Sequence, residues 1–179
     1  LGSVGNNPRV KFTGLAAGLV GYATVNGSSP AYHDAANGIR AFTLGESTEF
    51  NGSAVQTTLD TTFTTANLLP LLTAARTVNS LWIDSPGSGK IVDLGSAGAS
   101  NLTITSGRIN LTGTDSFEIK RSGTSTATLT AGTRLFFNID NSGVTLTSSV
   151  PIATGANTVS KEGAGPLVLN ATNTFTGAL

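Results

Sequence analysis

Apolar residues in this chain come mostly in pairs one residue apart, and short runs of Gly, Asn, Asp, Ser and Thr separate the pairs. From Thr77 onward the pattern is steady: Val78, Leu81 and Ile83; Ile91 with Leu94; Leu102 and Ile104; Ile109 and Leu111; Phe117 and Ile119; Leu129; Leu135 and Phe137; Val144 and Leu146; Val150 and Ile152; Val159; Leu167 and Leu169. Alternation at period two marks a strand with one buried face. Recurrence about every seven to ten residues is too dense for most helices and fits strands of about three to five residues joined by tight corners.

Periodicity alone leaves a β-sandwich and a β-solenoid both open. Most of these strands carry only two inward apolar residues, which suits one face of a three-sided coil whose strands pair with the coils above and below. Three strands per coil give roughly 22 to 28 residues a turn and about four coils after residue 76, a column on the order of 20 Å long at about 4.8 Å per coil. Such a column is open at both ends, so it should carry caps or stack on a neighbour.

Before residue 76 the pattern loosens. Short strands are expected at residues 10–12, 20–25 and 39–44, with turns at the pairs Asn26-Gly27, Asn37-Gly38 and Asn51-Gly52. The one place where a helix can be argued is ANLLPLLTAAR, where Leu68, Leu72 and Ala75 fall near helical spacing and Pro70 could open a turn. The segment is short and Pro70 sits inside the apolar run, so irregular chain is the leading expectation. Residues 1–75 are therefore read as an irregular β-rich opening segment continuous with the solenoid, and residues 76–179 as its coils.

The last coil carries a denser signal. In NTVSKEGAGPLVLNATNTFTG, residues 157–177, Gly163 and Gly165 precede the alternating Leu167 and Leu169, and Asn170 and Asn173 follow them. These are corner residues on either side of a strand. The stretch resembles the autotransporter-associated β-strand repeat, whose usual form reads roughly K-x-G-x-G-T-L-x-L-x-x-x-N-T-Y-T-G. Lys161, Gly163, Gly165, Leu167, Leu169, Asn173, Thr174, Thr176 and Gly177 match it, while Pro166 replaces the usual Thr and Phe175 the usual Tyr. GYATVNGSSPAYHDAANGIRAFT, residues 21–43, is similar to the opening segment of modules in the same giant repeat proteins. The resemblance implies an all-β fold, a right-handed parallel β-helix with a less regular N-terminal portion, in large bacterial proteins of the surface or exterior. It implies no chemistry.

Composition narrows the functions. Charged residues make up 11% of the 179 and balance to a net charge of zero, so there is no basic surface for a nucleic acid backbone. The 39% of apolar residues at strand periodicity suffice for a core and argue against disorder. With no cysteine there are no disulfides, thiolate metal sites or thiol nucleophiles. The longest apolar run, around residues 15–20, is too short to span a bilayer, and no signal peptide is visible in the stretch; for an exported protein the signal would lie upstream. The chain has no Met, and the repeat pattern runs up to Leu179, so it reads as a module or processed piece of something longer.

Candidate chemistry is sparse. His33 beside Asp34 suggests a dyad, but neighbours in a strand or turn point apart, and a surface loop histidine is the plainer reading. Asp115, Glu118, Lys120 and Arg121 could form the acidic and basic cluster that polysaccharide-cleaving β-helices use, but spacing by two equally describes a solvated strand face beneath Phe117 and Ile119. Asp60, Asp84, Asp93 and Asp140 are scattered singly. PGSGKIV, residues 86–92, lacks the first glycine and the hydroxyl of a phosphate loop, because Asp84 and Ile91 occupy those positions. No calcium-loop pattern occurs. Trp82, Tyr22 and Tyr32 could stack on sugars, though Trp82 lies in an apolar strand.

No catalytic, cofactor-binding or metal-binding residue is assigned, and no cofactor is expected. The expectation is a non-enzymatic structural module of a large secreted or surface-attached bacterial β-helix protein, building a stalk, fibre or coat by stacking on neighbouring modules or copies. The alternatives are an adhesin whose N-terminal loops bind host or matrix glycans, and a carbohydrate-active enzyme acting through Asp115, Glu118 and Lys120.

Overall fold

The computed structural model describes residues 10–26, 29–43, 48–49, 60–63, 71–84 and 88–179. Among these, every regular element is a strand. The dominant sheet is parallel and joins β4 (Thr48–Glu49), β5 (Asp60–Phe63), β6 (Arg76–Asp84), β8 (Leu102–Thr112), β11 (Leu135–Ile139) and β13 (Val159–Glu162) in that order, with β10 (Leu129–Ala131) also paired to β8. A second parallel sheet stacks β7 (Ile91–Asp93), β9 (Phe117–Lys120), β12 (Leu146–Ser148) and β14 (Leu167–Leu169). From β6 onward the chain passes from one sheet to the other and back, with only β10 and β11 consecutive in the same sheet, so strands pair with those of the turn before and the turn after. This is a β-solenoid of about three turns, one fewer than the pattern of apolar pairs suggests, because four stacked strands enclose three turns.

Register puts like on like. Leu81, Ile109 and Phe137 form one inward column, and Ile83, Leu111 and Ile139 another. Across the interior lie Val92, Ile119 and Leu146, and Val78, Ile104 and Leu129 close the third side, all with no exposed surface. Each such Leu, Ile or Phe contributes about 1.5–3 kcal/mol by leaving water. The repeat length varies: Thr103 and Thr130, whose hydroxyls bond at 2.8 Å, are 27 residues apart, whereas Arg134 and Thr158 are 24 apart and Ile152 and Asn173 are 21 apart.

The residues of the last-coil motif have identifiable tasks. Leu167 pairs with Leu146 and continues its inward column. Asn173 accepts the Ile152 N–H at 2.9 Å, satisfying a backbone donor where that turn starts. Gly163 has a φ of 79°, and a Cβ there would lie 2.1 Å from the Ile139 carbonyl, so a side chain would push the last turn off the one beneath it.

Several local expectations are corrected. The pairs Leu102/Ile104 and Ile109/Leu111 are not two strands but one, β8, bent at Gly107. Ile91 and Leu94 are not the inward pair of one strand: the strand is β7, Ile91–Asp93, Val92 is its buried residue, Ile91 is half-buried opposite Glu118, and the buried Leu94 follows the strand. Leu72 and Ala75 follow the leading expectation of irregular chain and not the helical alternative: Leu71 bridges to Asp93 and the Leu72 N–H reaches the Asp93 carbonyl at 2.8 Å, so the ladder captures this backbone. Leu68 and Pro70 lie outside the described residues, as does Asn51-Gly52.

The N-terminal part holds an antiparallel sheet of β1 (Gly18–Val25), β2 (Ser29–Asp34) and β3 (Gly38–Ala41). Residues 10–12 form no strand, although the Val10 carbonyl accepts the Ile39 N–H at 2.8 Å. Phe42, just after β3, lays its ring 5.3 Å from that of Trp82 on the outer face of β6, and Tyr32 stacks on Phe42 at 5.8 Å. The antiparallel sheet thus clads one outer face of the solenoid.

Candidate functional site

His33 and Asp34 lie on adjacent positions of β2 and their side chains diverge. His33 is not a surface loop histidine: it is 3% exposed, bonds the Ala16 carbonyl through Nδ1 at 3.1 Å, and meets the Phe12 ring edge. Asp34 Oδ1 instead accepts the N–H groups of Ala36 and Asn37 at 2.8 Å each, and Oδ2 pairs with Arg40 at 3.4 Å. Those bonds, led by the Asn37 N–H, hold the Asp34 carboxyl down at about 2. Nothing here positions a nucleophile against the imidazole.

Glu118 and Lys120 share the outer face of β9, as their spacing predicts, but they do not converge with Asp115 and Arg121. Glu118 accepts the Ser149 hydroxyl, and Arg121 donates to the Ala127 carbonyl at 3.0 Å. Asp93 accepts the Ser122 hydroxyl and the Gly95 N–H, and Asp84 accepts the Thr112 hydroxyl at 2.7 Å. Each carboxylate serves a neighbouring turn. Asp60 lies in β5 opposite Ser80. Ser88 and Gly89 form a tight turn before β7, the corner expected in place of a phosphate loop; residues 86–87 lie outside the described residues. Among the described residues no group of three metal-ligating side chains occurs, and no helix is long and apolar enough to cross a membrane. Trp82 and Tyr32 have ring faces occupied by Phe42, and Tyr22 has no described side chain.

The structure brings together one polar cluster that the pattern of apolar residues hides. Ser80, Arg108, Asn110 and Asn138 point outward from the large sheet yet are buried, Arg108 completely. Arg108 Nε donates to Asn110 Oδ1 at 3.0 Å, its guanidinium lies 4.9 Å from the Phe136 ring centre, and Asn138 donates to Asp140 Oδ1 at 2.6 Å. Desolvation holds Arg108 down at about 10, partly opposed by the charges of Glu162 and Asp140. Desolvation also raises Asp140 above the usual carboxylate range, against its Asn138 hydrogen bond and the Arg108 charge. The available signal was the polar alternation Arg108-x-Asn110 in β8 and Asn138-x-Asp140 at the end of the otherwise apolar β11. With no solvent access to Arg108, the cluster presents no reactive group; its hydrogen bonds run within single turns, and the Arg108 contact with the Phe136 ring joins one turn to the next.

The remaining distinctive surface is the C-terminal end. Leu167, Leu169 and Phe175 pack against the core but are only partly buried, Val168 is 38% exposed, and Leu179 is 82% exposed. Strand β14 pairs only with β12 among the described residues, which leaves one of its edges open. The Ala178 carbonyl accepts the Val159 N–H at 2.9 Å, so residues 173–178 already lie along the preceding turn as the start of another layer. Comparison of the chain with protein-family models, with curated proteins and with solved structures gives no match in any of the three.

Proposed function

We propose that this chain is a non-enzymatic structural module of a large, secreted or surface-attached bacterial β-helix protein, stacking end to end on neighbouring modules or copies to build a stalk, fibre or coat. The observation that carries the reading is the parallel register of the solenoid, in which Leu146 pairs with Phe117 on one side and Leu167 on the other, so that each turn offers the next a ladder edge and an apolar rim of the same kind. A parallel edge of this register accepts another coil of the same kind, because a further strand would satisfy its N–H and C=O groups while covering the apolar rim. The last-coil motif supports the same reading, since its glycines and Asn173 do work that only stacked turns require. A chain with balanced charges adds little repulsion between copies.

Sedimentation velocity over a micromolar to millimolar range, with electron microscopy of the densest samples, tests the proposal. End-on rods that lengthen with concentration are expected. A chain that stays monomeric at the highest concentration, with no end-on or lateral contacts in the images, would remove the stacking function.

A further inference from the structure

A groove of about 650 Å³ crosses three stacked corners of the solenoid, where the chain turns into the large sheet. Ser106 comes from the corner in β8, Thr133 and Arg134 from the corner between β10 and β11, and Asn157 and Thr158 from the corner before β13. Phe136 forms part of its wall, with the Arg108 guanidinium behind the ring at 4.9 Å. The volume falls within the roughly 300–1,000 Å³ of small-molecule sites.

The geometry points to this groove as a binding site for an acidic saccharide, with Arg134 taking the carboxylate of a uronic acid unit and the corner hydroxyls and amide taking its ring hydroxyls. Arg134 is exposed, and Thr158 of the next turn receives its Nε–H at 3.2 Å, which fixes the plane of the guanidinium. That bond leaves the terminal N–H groups in the fork geometry that matches a carboxylate. Arg134 has no acidic partner among the described residues, and no carboxylate lines the groove. Ser106 Oγ already donates to the Asn79 carbonyl and Asn157 Nδ2 to the Ala131 carbonyl at 3.4 Å, so beside Arg134 it is the Thr133 hydroxyl and the Asn157 amide oxygen that face a ligand, next to the short apolar wall of Phe136 and Ala156.

Other occupants fit less well. A phosphate nest needs several free backbone N–H groups, but here the Leu135 N–H goes to the Thr158 carbonyl and the Val159 N–H to that of Ala178. A peptide adding as a strand needs an open edge, whereas β8 and β11, which two of the three corners feed, are paired on both sides, and the Val159 N–H at the start of β13 is taken by the Ala178 carbonyl. Nucleic acid would ask for a basic stripe, and one exposed guanidinium on a chain of zero net charge is not one.

Titration of the whole chain with digalacturonate, followed by amide NMR and calorimetry, tests the assignment against the neutral galactose disaccharide and inorganic phosphate. Shifts centred on Thr133, Arg134, Asn157 and Thr158 are expected, with the neutral sugar about tenfold weaker or worse. Arg134→Gln should lose about tenfold or more, Arg134→Lys should lose less because it keeps the charge without the fork, and added salt should weaken binding. Arg134 is exposed, so an unchanged far-UV spectrum and melting curve will certify that these variants fold. The proposal is overturned by absence of digalacturonate binding at millimolar concentration, by equal binding of the neutral sugar, by unchanged affinity in Arg134→Gln, or by phosphate binding as tightly as the uronate. These outcomes are read from saccharide titration and not from sedimentation, so their failure is distinguishable from a failure of stacking.

Discussion

Gly107 and Gly98 both adopt left-handed φ values, 74° and 70°, but in different surroundings. A Cβ on Gly98 would meet nothing within 4 Å, so Gly98→Ala carries only the conformational cost of about 1–2 kcal/mol. A Cβ on Gly107 would stand 1.5 Å from the Arg134 carbonyl, a backbone atom of the next turn that cannot yield. Gly107→Ala should therefore cost about 4 kcal/mol or more, measured by urea unfolding, and equal losses in the two variants would refute the close-packed corner. In the sequence the two glycines look alike; what separates them is a carbonyl one turn away, which no local pattern encodes. The same holds for Asp140, which reads as an isolated surface carboxylate and is instead raised in pKa by desolvation that the Arg108 charge does not offset. A carboxyl raised on folding favours the neutral form, so its contribution to stability is fully present below the ordinary value of 3.8 and lost as pH rises through its folded-state value. Asp140→Asn should accordingly be more stable than the parent at neutral pH, with the advantage shrinking as pH falls below 4, and urea midpoints across that range will show it. Destabilisation at neutral pH would mean that the pairing with Arg108 outweighs burial.

The hairpin formed by β2 and β3 carries the opposite sign. Asp34 organises its turn and is held at about 2 by hydrogen bonds led by the Asn37 N–H, so the stability it contributes is present above 3.8 and lost as pH falls through about 2. Asp34→Ala should destabilise the hairpin at neutral pH and converge with the parent near pH 2. Amide exchange at Ile39, Arg40 and Ala41 is the readout, and equal protection in both proteins at neutral pH would show that β2 and β3 pair without the Asx bonds. This turn was legible, since Asn37-Gly38 is a strong turn signal, but β2 was not: Ser29-Pro30 and a buried His33 do not spell a strand. The solenoid strands were legible because their inward residues alternate against polar neighbours. Their outward partners were not, because Trp82 is covered by Phe42, far earlier in the chain, and Arg108 by Phe136, one turn later, and nothing at their own positions announces that cover.

Over the whole molecule, parallel register decided what periodicity left open. A sandwich would pair sequence neighbours, whereas Leu146 pairs with Phe117 below and Leu167 above. The same register shows how the open end is poised. The inward column of Leu81, Ile109 and Phe137 terminates at Lys161, exposed, with its ammonium on the Gly163 carbonyl. A charge in an inward position restrains edge association, while the partly buried leucines around it favour covering the end. Opposite substitutions should then shift assembly in opposite directions. Lys161→Leu removes the desolvation cost of burying an ammonium and should strengthen end-on association by roughly tenfold or more. Val168→Lys adds a charge to β14 on its outer face, beside the open edge, and should weaken association without lowering the melting temperature, because Val168 is already 38% exposed. With so few charges, association of the parent chain should change little between low and high salt. Sedimentation velocity on the three proteins at two ionic strengths measures all of this together. Rods that form equally well in both variants would place the contact elsewhere, and rods that dissolve in salt would make it an electrostatic joint and not a continuation of the ladder.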